Sequence, residues 1–183
     1  MIASASGNGK TTFGRELARR LDVPFVELDA LVHGPGWAET PDDELRAMIE
    51  PILSSEGWVI DGEYRRKLGD LVLRAAEVVV WLDLPIRVWL PRLTRRTVRR
   101  IRRRELLWND NRETLHGALW GGESLFGWAI RSHFRCRREW PQALSAYPVV
   151  RLRTPAEVES FAEFAEDGRV RAATRPRTSR DVG

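Results

Sequence analysis

Ser4-Ala5-Ser6-Gly7-Asn8-Gly9-Lys10-Thr11-Thr12 decides the fold. The stretch fits the pattern G-x-x-x-x-G-K-[ST] at every defined position but the first, where Ser4 stands for glycine. Glycines let the backbone curl until successive N–H groups point inward at an anion. Lys10 is placed to reach the β- and γ-phosphates, and Thr11 to offer its hydroxyl to Mg²⁺. The helix after the loop aims its N-terminal dipole at the same phosphates. Ser6, Gly7, Asn8, Gly9, Lys10, Thr11 and Thr12 are therefore the candidate ATP-binding residues, with Lys10 also catalytic.

Around this loop, short apolar runs alternate with helical stretches, the order of a parallel α/β sheet. The runs are Met1-Ile2-Ala3, Phe25 to Leu28, Trp58 to Ile60, Val78 to Leu82 and Pro148 to Leu152. They predict a three-layer α/β domain with a parallel five-stranded sheet. Helices are expected from Lys10 to Leu21, from Pro41 to Ser54, and from Pro155 to Glu166 with Thr154 as N-cap. Only three residues precede the loop, whereas such a loop is usually fed by a buried strand of about five. Two expectations stand: a start upstream of Met1, or a shortened first strand. Four to six restored upstream residues would then raise the melting temperature.

With 183 residues the chain is long enough for one domain with a real core. The lone cysteine, Cys136, excludes an internal disulfide and fits a reducing, cytoplasmic setting. No apolar run approaches a membrane span, and the start lacks the pattern of a signal peptide. His33, His116 and His133 lack the spacing of zinc ligands. Of the 30 basic residues all but Lys10 and Lys67 are arginine. Arginine grips phosphate bidentately, yet a net charge of +4 is a modest argument for a nucleic-acid partner, and no nucleic-acid-binding motif accompanies it.

Between Pro85 and Pro141 the pattern is helical and basic, with Leu90, Leu93, Thr97 and Ile101 as a buried stripe and Pro91 marking a kink or the helix start. Nine arginines fall between Arg87 and Arg104. Phosphoryl transfer needs in-line positioning and positive charge on the migrating group, and a mobile element supplies that charge on closure. Arg95, Arg96 and Arg99 are the candidates. Asn109 to Gly127 reads as loose and Gly-rich. Asp29, Asp61 and Asp83 fall at strand ends, where open α/β sheets bind ligands. Asp61 suits Mg²⁺, directly or through water, and Asp29 the acceptor side. Asp83, ahead of Pro85, reads as a cap for the next helix or as a site residue. Trp37 either walls an acceptor pocket or packs, and Trp58 and Trp81 belong to the core.

The colinear order of further segments is similar to that of adenylate-kinase-like P-loop kinases, and most closely to DNA topology modulation proteins. These segments are Glu27-Leu28-Asp29-Ala30-Leu31 with Pro35-Gly36-Trp37, Trp58 to Arg65, Trp81-Leu82-Asp83-Leu84-Pro85, Arg95-Arg96-Thr97, and Glu105 to Trp108 with Asn111-Arg112-Glu113. The resemblance spans roughly residues 1 to 165. It implies that Asp61-Gly62-Glu63-Tyr64-Arg65 matches the Asp-Gly-Phe-Pro-Arg segment of adenylate kinases. There the aspartate sits near Mg²⁺ and the arginine contacts an acceptor phosphate. Glu63-Tyr64 replaces Phe-Pro, a departure that touches the acceptor. The resemblance also implies that the basic segment from Arg92 and the Gly-rich stretch after it form a lid, over about residues 92–135. The expectation is a single domain over 1–171 with a disordered tail over 172–183. Its function is ATP- and Mg²⁺-dependent transfer of the γ-phosphoryl group to a small acceptor. The alternatives are a nucleotide-dependent DNA-associated protein and a simple NTPase.

Overall fold

The computed structural model describes residues 1–103 and 124–166. The Glu105–Trp108 and Asn111–Glu113 segments, His116, most of the expected loose stretch and the tail over 172–183 lie outside the described residues.

Among the described residues, five strands form two parallel ladders. β1 (Ile2–Ala3) pairs with β4 (Val79–Leu82), and β4 with β5 (Val149–Leu152). β2 (Phe25–Glu27) pairs with β3 (Val59–Asp61), Glu27 opposite Asp61. The ladders meet at Met1, whose carbonyl accepts from Gly62 N at 3.0 Å. The expectation of one five-stranded sheet thus meets a three-stranded and a two-stranded ladder. Strand ends are shorter than the apolar runs by a residue or so. Leu28 leaves β2 because it opens α2 (Leu28–Val32), where its side chain is fully buried.

Strand alternation sends side chains to two faces. Val80 and Leu82 pack with Phe13, Leu17 and Ala18 of α1 (Lys10–Leu21) and with Phe161, Ala162 and Ala165 near the chain's end. Val79 and Trp81 point the other way, against Ile2, Leu73 and Leu144. Val59 and Ile60 split likewise, Ile60 joining Leu28, Leu45 and Ile49. Helices therefore cover both faces, the three-layer arrangement.

The helices follow local chemistry. α1 carries Phe13, Leu17 and Ala18 on its buried face and ends on Arg19 and Arg20, which favour the negative end of its dipole. α3 (Asp42–Leu53) opens with Asp42, Asp43 and Glu44 and buries Leu45 and Ile49. α4 (Arg65–Leu68) and α5 (Leu71–Ala75) are single turns after β3. α6 (Ile86–Arg103) begins five residues before Pro91, so the proline lies inside it and does not mark its start. Its buried face is Trp89, Leu93 and Thr97, whereas Leu90 and Ile101 are half-buried. α7 (Leu125–Ala143) is capped by Ser124, whose hydroxyl accepts from Gly127 N at 3.3 Å. α8 (Pro155–Glu166) starts at Thr154, whose hydroxyl accepts from Glu157 N at 3.2 Å, the cap expected of it. Trp81 is core as expected, and Trp58 is half-buried at the core's edge. No described helix is long and apolar enough to cross a membrane.

Candidate active site

The loop curls as its glycines permit. Gly7 and Gly9 hold φ of +85° and +87°, a region open to glycine at no steric cost. Gly7 is also pressed against α6: a methyl there would stand 2.7 Å from Trp89 O and 2.9 Å from Leu93 Cβ. Strain and overlap together predict that Gly7→Ala lowers stability by about 3 kcal/mol. It also displaces the loop and weakens nucleotide binding. Urea denaturation and nucleotide titration check this, and an unchanged midpoint would contradict it.

Two side chains anchor the loop to the end of β4. Asn8 Oδ1 accepts from Leu84 N at 3.0 Å while Asn8 Nδ2 donates to Ala5 O at 2.8 Å. Ser4, at the position where the pattern has glycine, donates from its hydroxyl to Asp83 Oδ1 at 3.1 Å. Asp83 is fully buried and does not cap α6. It accepts from Arg137 Nε at 2.9 and 3.0 Å, and from Arg151 Nε and Nη2 at 3.0 and 2.7 Å. The Arg151 guanidinium lies 4.0 Å from the centre of the Trp81 ring. His133 Nδ1 approaches Ser4 Oγ at 3.4 Å. Burial, with Arg137 close by, holds the His133 imidazole below its usual pKa. Nothing in the sequence pattern pairs Asp83 with Arg137, 54 residues on, or with Arg151, 68 residues on.

Lys10 and Thr11 converge on Asp61. Asp61 is 1% exposed, receives an ion pair from Lys10 Nζ on Oδ1, and accepts from Thr11 Oγ1 on Oδ2 at 2.6 Å. Glu27, opposite Asp61 across the ladder, lies 3.5 Å from Thr11 Oγ1 and pairs with Arg15 at 3.1 Å. Burial lowers the pKa of Lys10, and the nearby charges of Asp29 and Glu27 oppose it. The hydroxyl and carboxylate oxygens here are the hard donors that suit Mg²⁺, which is usually held by one or two carboxylates, waters and substrate phosphates. The Gly7 and Gly9 backbone forms the cradle that a phosphate chain needs. The donor set and the cradle fit ATP and Mg²⁺. Among the described residues no cluster of three or more His, Cys, Asp or Glu is assembled.

Of the candidate lid arginines, Arg96 reaches the loop, donating from Nη2 to Ser6 Oγ at 3.0 Å. Arg95 and Arg99 are exposed on α6. Arg92, outside the candidate list, has its Nη1 3.8 Å from where a side chain at Gly9 would begin. Thr12 is exposed in the first turn of α1. Arg65 is bound to Asp70, with Nη2 at 2.7 Å and Nε at 2.8 Å.

Asp29 sits in the first turn of α2 rather than at the end of a strand. Tyr64 Oη donates to Asp29 Oδ1 at 2.5 Å, and His33 Nε2 lies 3.2 Å from the same hydroxyl. Burial, then Asp29, pushes the Tyr64 phenol far above its usual pKa. Trp37 is 44% exposed, and its ring meets His33 edge-on at 5.5 Å. Neither His33 nor Tyr64 was assigned a role in the site from the sequence. The Glu63-Tyr64 departure was the signal for Tyr64, and His33 had none.

Glu63 Oε2 is buried without a hydrogen-bond partner. Burial raises its carboxyl above the usual 4.5, with Arg65 opposing. The folded state thus keeps a proton that the unfolded chain releases above about pH 4.5, so this contribution to stability is lost as pH rises through the raised value. Glu63→Gln, neutral throughout, is expected to melt higher than the parent at pH 8, with the gap closing at pH 4. A pH-independent gap would contradict the assignment.

A family model described as shikimate kinase matches residues 6–35. A shikimate kinase of Sulfurihydrogenibium sp. (strain YO3AOP1) is 32% identical over 101 residues. The match covers 48% of this chain and 61% of that protein. No solved structure matches the chain. The matched family segment runs from Ser6 through Lys10, Thr11 and Asp29, the loop and acid placed together above, and it places the chain in the P-loop kinase superfamily.

Proposed function

We propose that the protein transfers the γ-phosphoryl group of ATP to a hydroxyl of a small acceptor. The convergence of Lys10 and Thr11 on the buried Asp61, beneath the glycine cradle, carries this reading. The loop N–H groups and Lys10 bind the nucleotide phosphates. Thr11 and Asp61 are the residues to hold Mg²⁺, which when bound neutralises charge on the β- and γ-oxygens. Arg96, hinged on Ser6, and Arg92 add positive charge beside the loop. Their helix and the first half of α7 are the described parts of the proposed lid over 92–135, and the two ladders joined at Met1 act as one sheet beneath it. Asp29 orients the acceptor hydroxyl and takes its proton as the new P–O bond forms and ADP leaves with the electron pair of the broken bond.

Lys10 must exchange Asp61 for phosphate when nucleotide binds. The ion pair holds the ammonium in place beforehand, which is preorganisation of the site. The test is a screen of nucleosides, sugars and other hydroxyl compounds for acceptor-dependent ADP formation with Mg²⁺. ADP formed at one rate whatever is added would leave a simple NTPase. The exposed Arg95, Arg99, Arg102 and Arg103 support the DNA-associated reading of the topology modulation proteins. DNA binding with a steep salt slope, and no acceptor in the screen, would favour it.

A further inference from the structure

The three cations of α4, which follow Tyr64 directly, are already committed. Arg65 binds Asp70 at 2.7 Å, and Arg66 binds Glu39 at 3.1 Å. Lys67 is buried between Glu39 and Asp42, at 3.1 and 3.0 Å, and also donates to Thr40 O at 2.9 Å. The Asp70 carboxylate is in turn held by Tyr147 as well as Arg65, and both keep its pKa below the usual range. Arg65, the residue that resemblance assigned to an acceptor phosphate, is thus a strut between α4 and the residue that opens α5.

What faces the acceptor side is a carboxylate with aromatic company. Asp29 is half-buried, and only its Oδ1 is engaged by Tyr64. Trp37 and Tyr64 hold φ of +64° and +43°, left-handed positions that are strained for a bulky side chain. Both strained residues pack against one ring, that of His33, at 5.5 and 6.4 Å. Strain of this kind persists where the surrounding structure over-determines it, and it gathers at ligand clamps. The chemistry of the clamp is specific. A carboxylate and a phenol grip hydroxyls, and an exposed indole packs on the C–H face of a saturated ring. Asp29 carries the negative charge on this side, with Glu27 near the same Lys10, so a second anion would meet repulsion from Asp29.

We infer that the phosphoryl acceptor is an uncharged polyhydroxy compound of the sugar or cyclitol class. Asp29 and Tyr64 hold its hydroxyls and Trp37 covers its C–H face, while phosphorylated or carboxylated compounds are rejected. The inference rests on the kinase reading of the same site.

Matched pairs test it: inositol and inositol 1-phosphate, glucose with glucose 6-phosphate and gluconate, adenosine and AMP, with shikimate as a further carboxylate. Each is measured twice, by ADP formation from Mg²⁺·ATP and by calorimetric binding in the presence of Mg²⁺ and a non-hydrolysable ATP analogue. The uncharged member of a pair is expected to win by at least about tenfold in kcat/KM or in affinity. Equal treatment, a preference for the anion, or binding of no uncharged member would overturn the inference. Binding of uncharged members without turnover sinks the kinase reading and keeps the inference. Turnover of AMP or shikimate does the reverse. Trp37→Ala, an exposed change, should raise the acceptor KM or Kd about tenfold and leave the nucleotide KM unmoved, and no shift in the acceptor constant would count against the clamp. Asp70→Ala removes both acceptor oxygens, releases Arg65 and should narrow the discrimination against anions, whereas an unaltered preference would contradict the strut.

Discussion

Lys10→Ala is expected to lower acceptor-dependent ADP formation by about 10³-fold, the scale of losing a preorganised charge aimed at the reacting centre. The ammonium sits at the point where the loop, Asp61 and the nearby Asp29 meet, and no other described lysine lies in the loop. The substitution has a second consequence. Asp61 is 1% exposed, and without Lys10 it keeps only hydroxyl support from Thr11. A buried carboxylate stripped of its cation costs the fold up to about 3–5 kcal/mol. Activity and folding must therefore be read together. Circular dichroism melts on Lys10→Ala and on the double variant Lys10→Ala with Asp61→Asn separate them, since the double variant removes the orphaned charge. It is expected to regain most of the lost stability and none of the activity. Recovery of activity in the double variant would remove Lys10 from the phosphates.

Asp83→Ala is expected to cost about 3 kcal/mol of stability, a large share of the 5–15 kcal/mol typical of a domain. Three donors from three parts of the chain converge on this carboxylate: Ser4 of the loop, Arg137 of α7 and Arg151 of β5. Removing it leaves two guanidinium groups without their anion. Their side chains keep 39% and 25% exposure, so water relieves part of the penalty and the lower end of the range applies. Asp83→Asn preserves the shape and one acceptor oxygen and should fall between parent and alanine variant. Urea denaturation measures both. A loss under about 1 kcal/mol for alanine would show that the arginines find other partners.

The loop half of the candidate site was readable in the sequence because its residues are local. Ser4 to Thr12 is one loop, and α1 runs from Lys10 to Leu21 as its periodicity requires. Asp61 was legible from its place after an apolar strand. Residues tied by long-range packing were not. Asp83 looked like a cap because the arginines that claim it come from α7 and β5. The resemblance gave Arg65 an acceptor phosphate, and its pairing with Asp70 was not legible because Asp70 lies across a helix boundary, in a turn that the sequence does not specify. Trp89 is fully buried although it sits in a segment dominated by arginine, since Ala5 of the loop and Ala129 and His133 of α7 close over it. Trp37 and Tyr64 adopt left-handed backbone that no propensity predicts for aromatic residues.

The most direct measurement follows the phosphorus atom. ATP labelled at the γ-phosphoryl group is incubated with Mg²⁺, the protein and the best acceptor from the screen, and the label is located by product separation. The account predicts label on an acceptor hydroxyl, ADP in equal amount, and loss of both with Lys10→Ala. Label found only in inorganic phosphate, at a rate indifferent to acceptor, would contradict it.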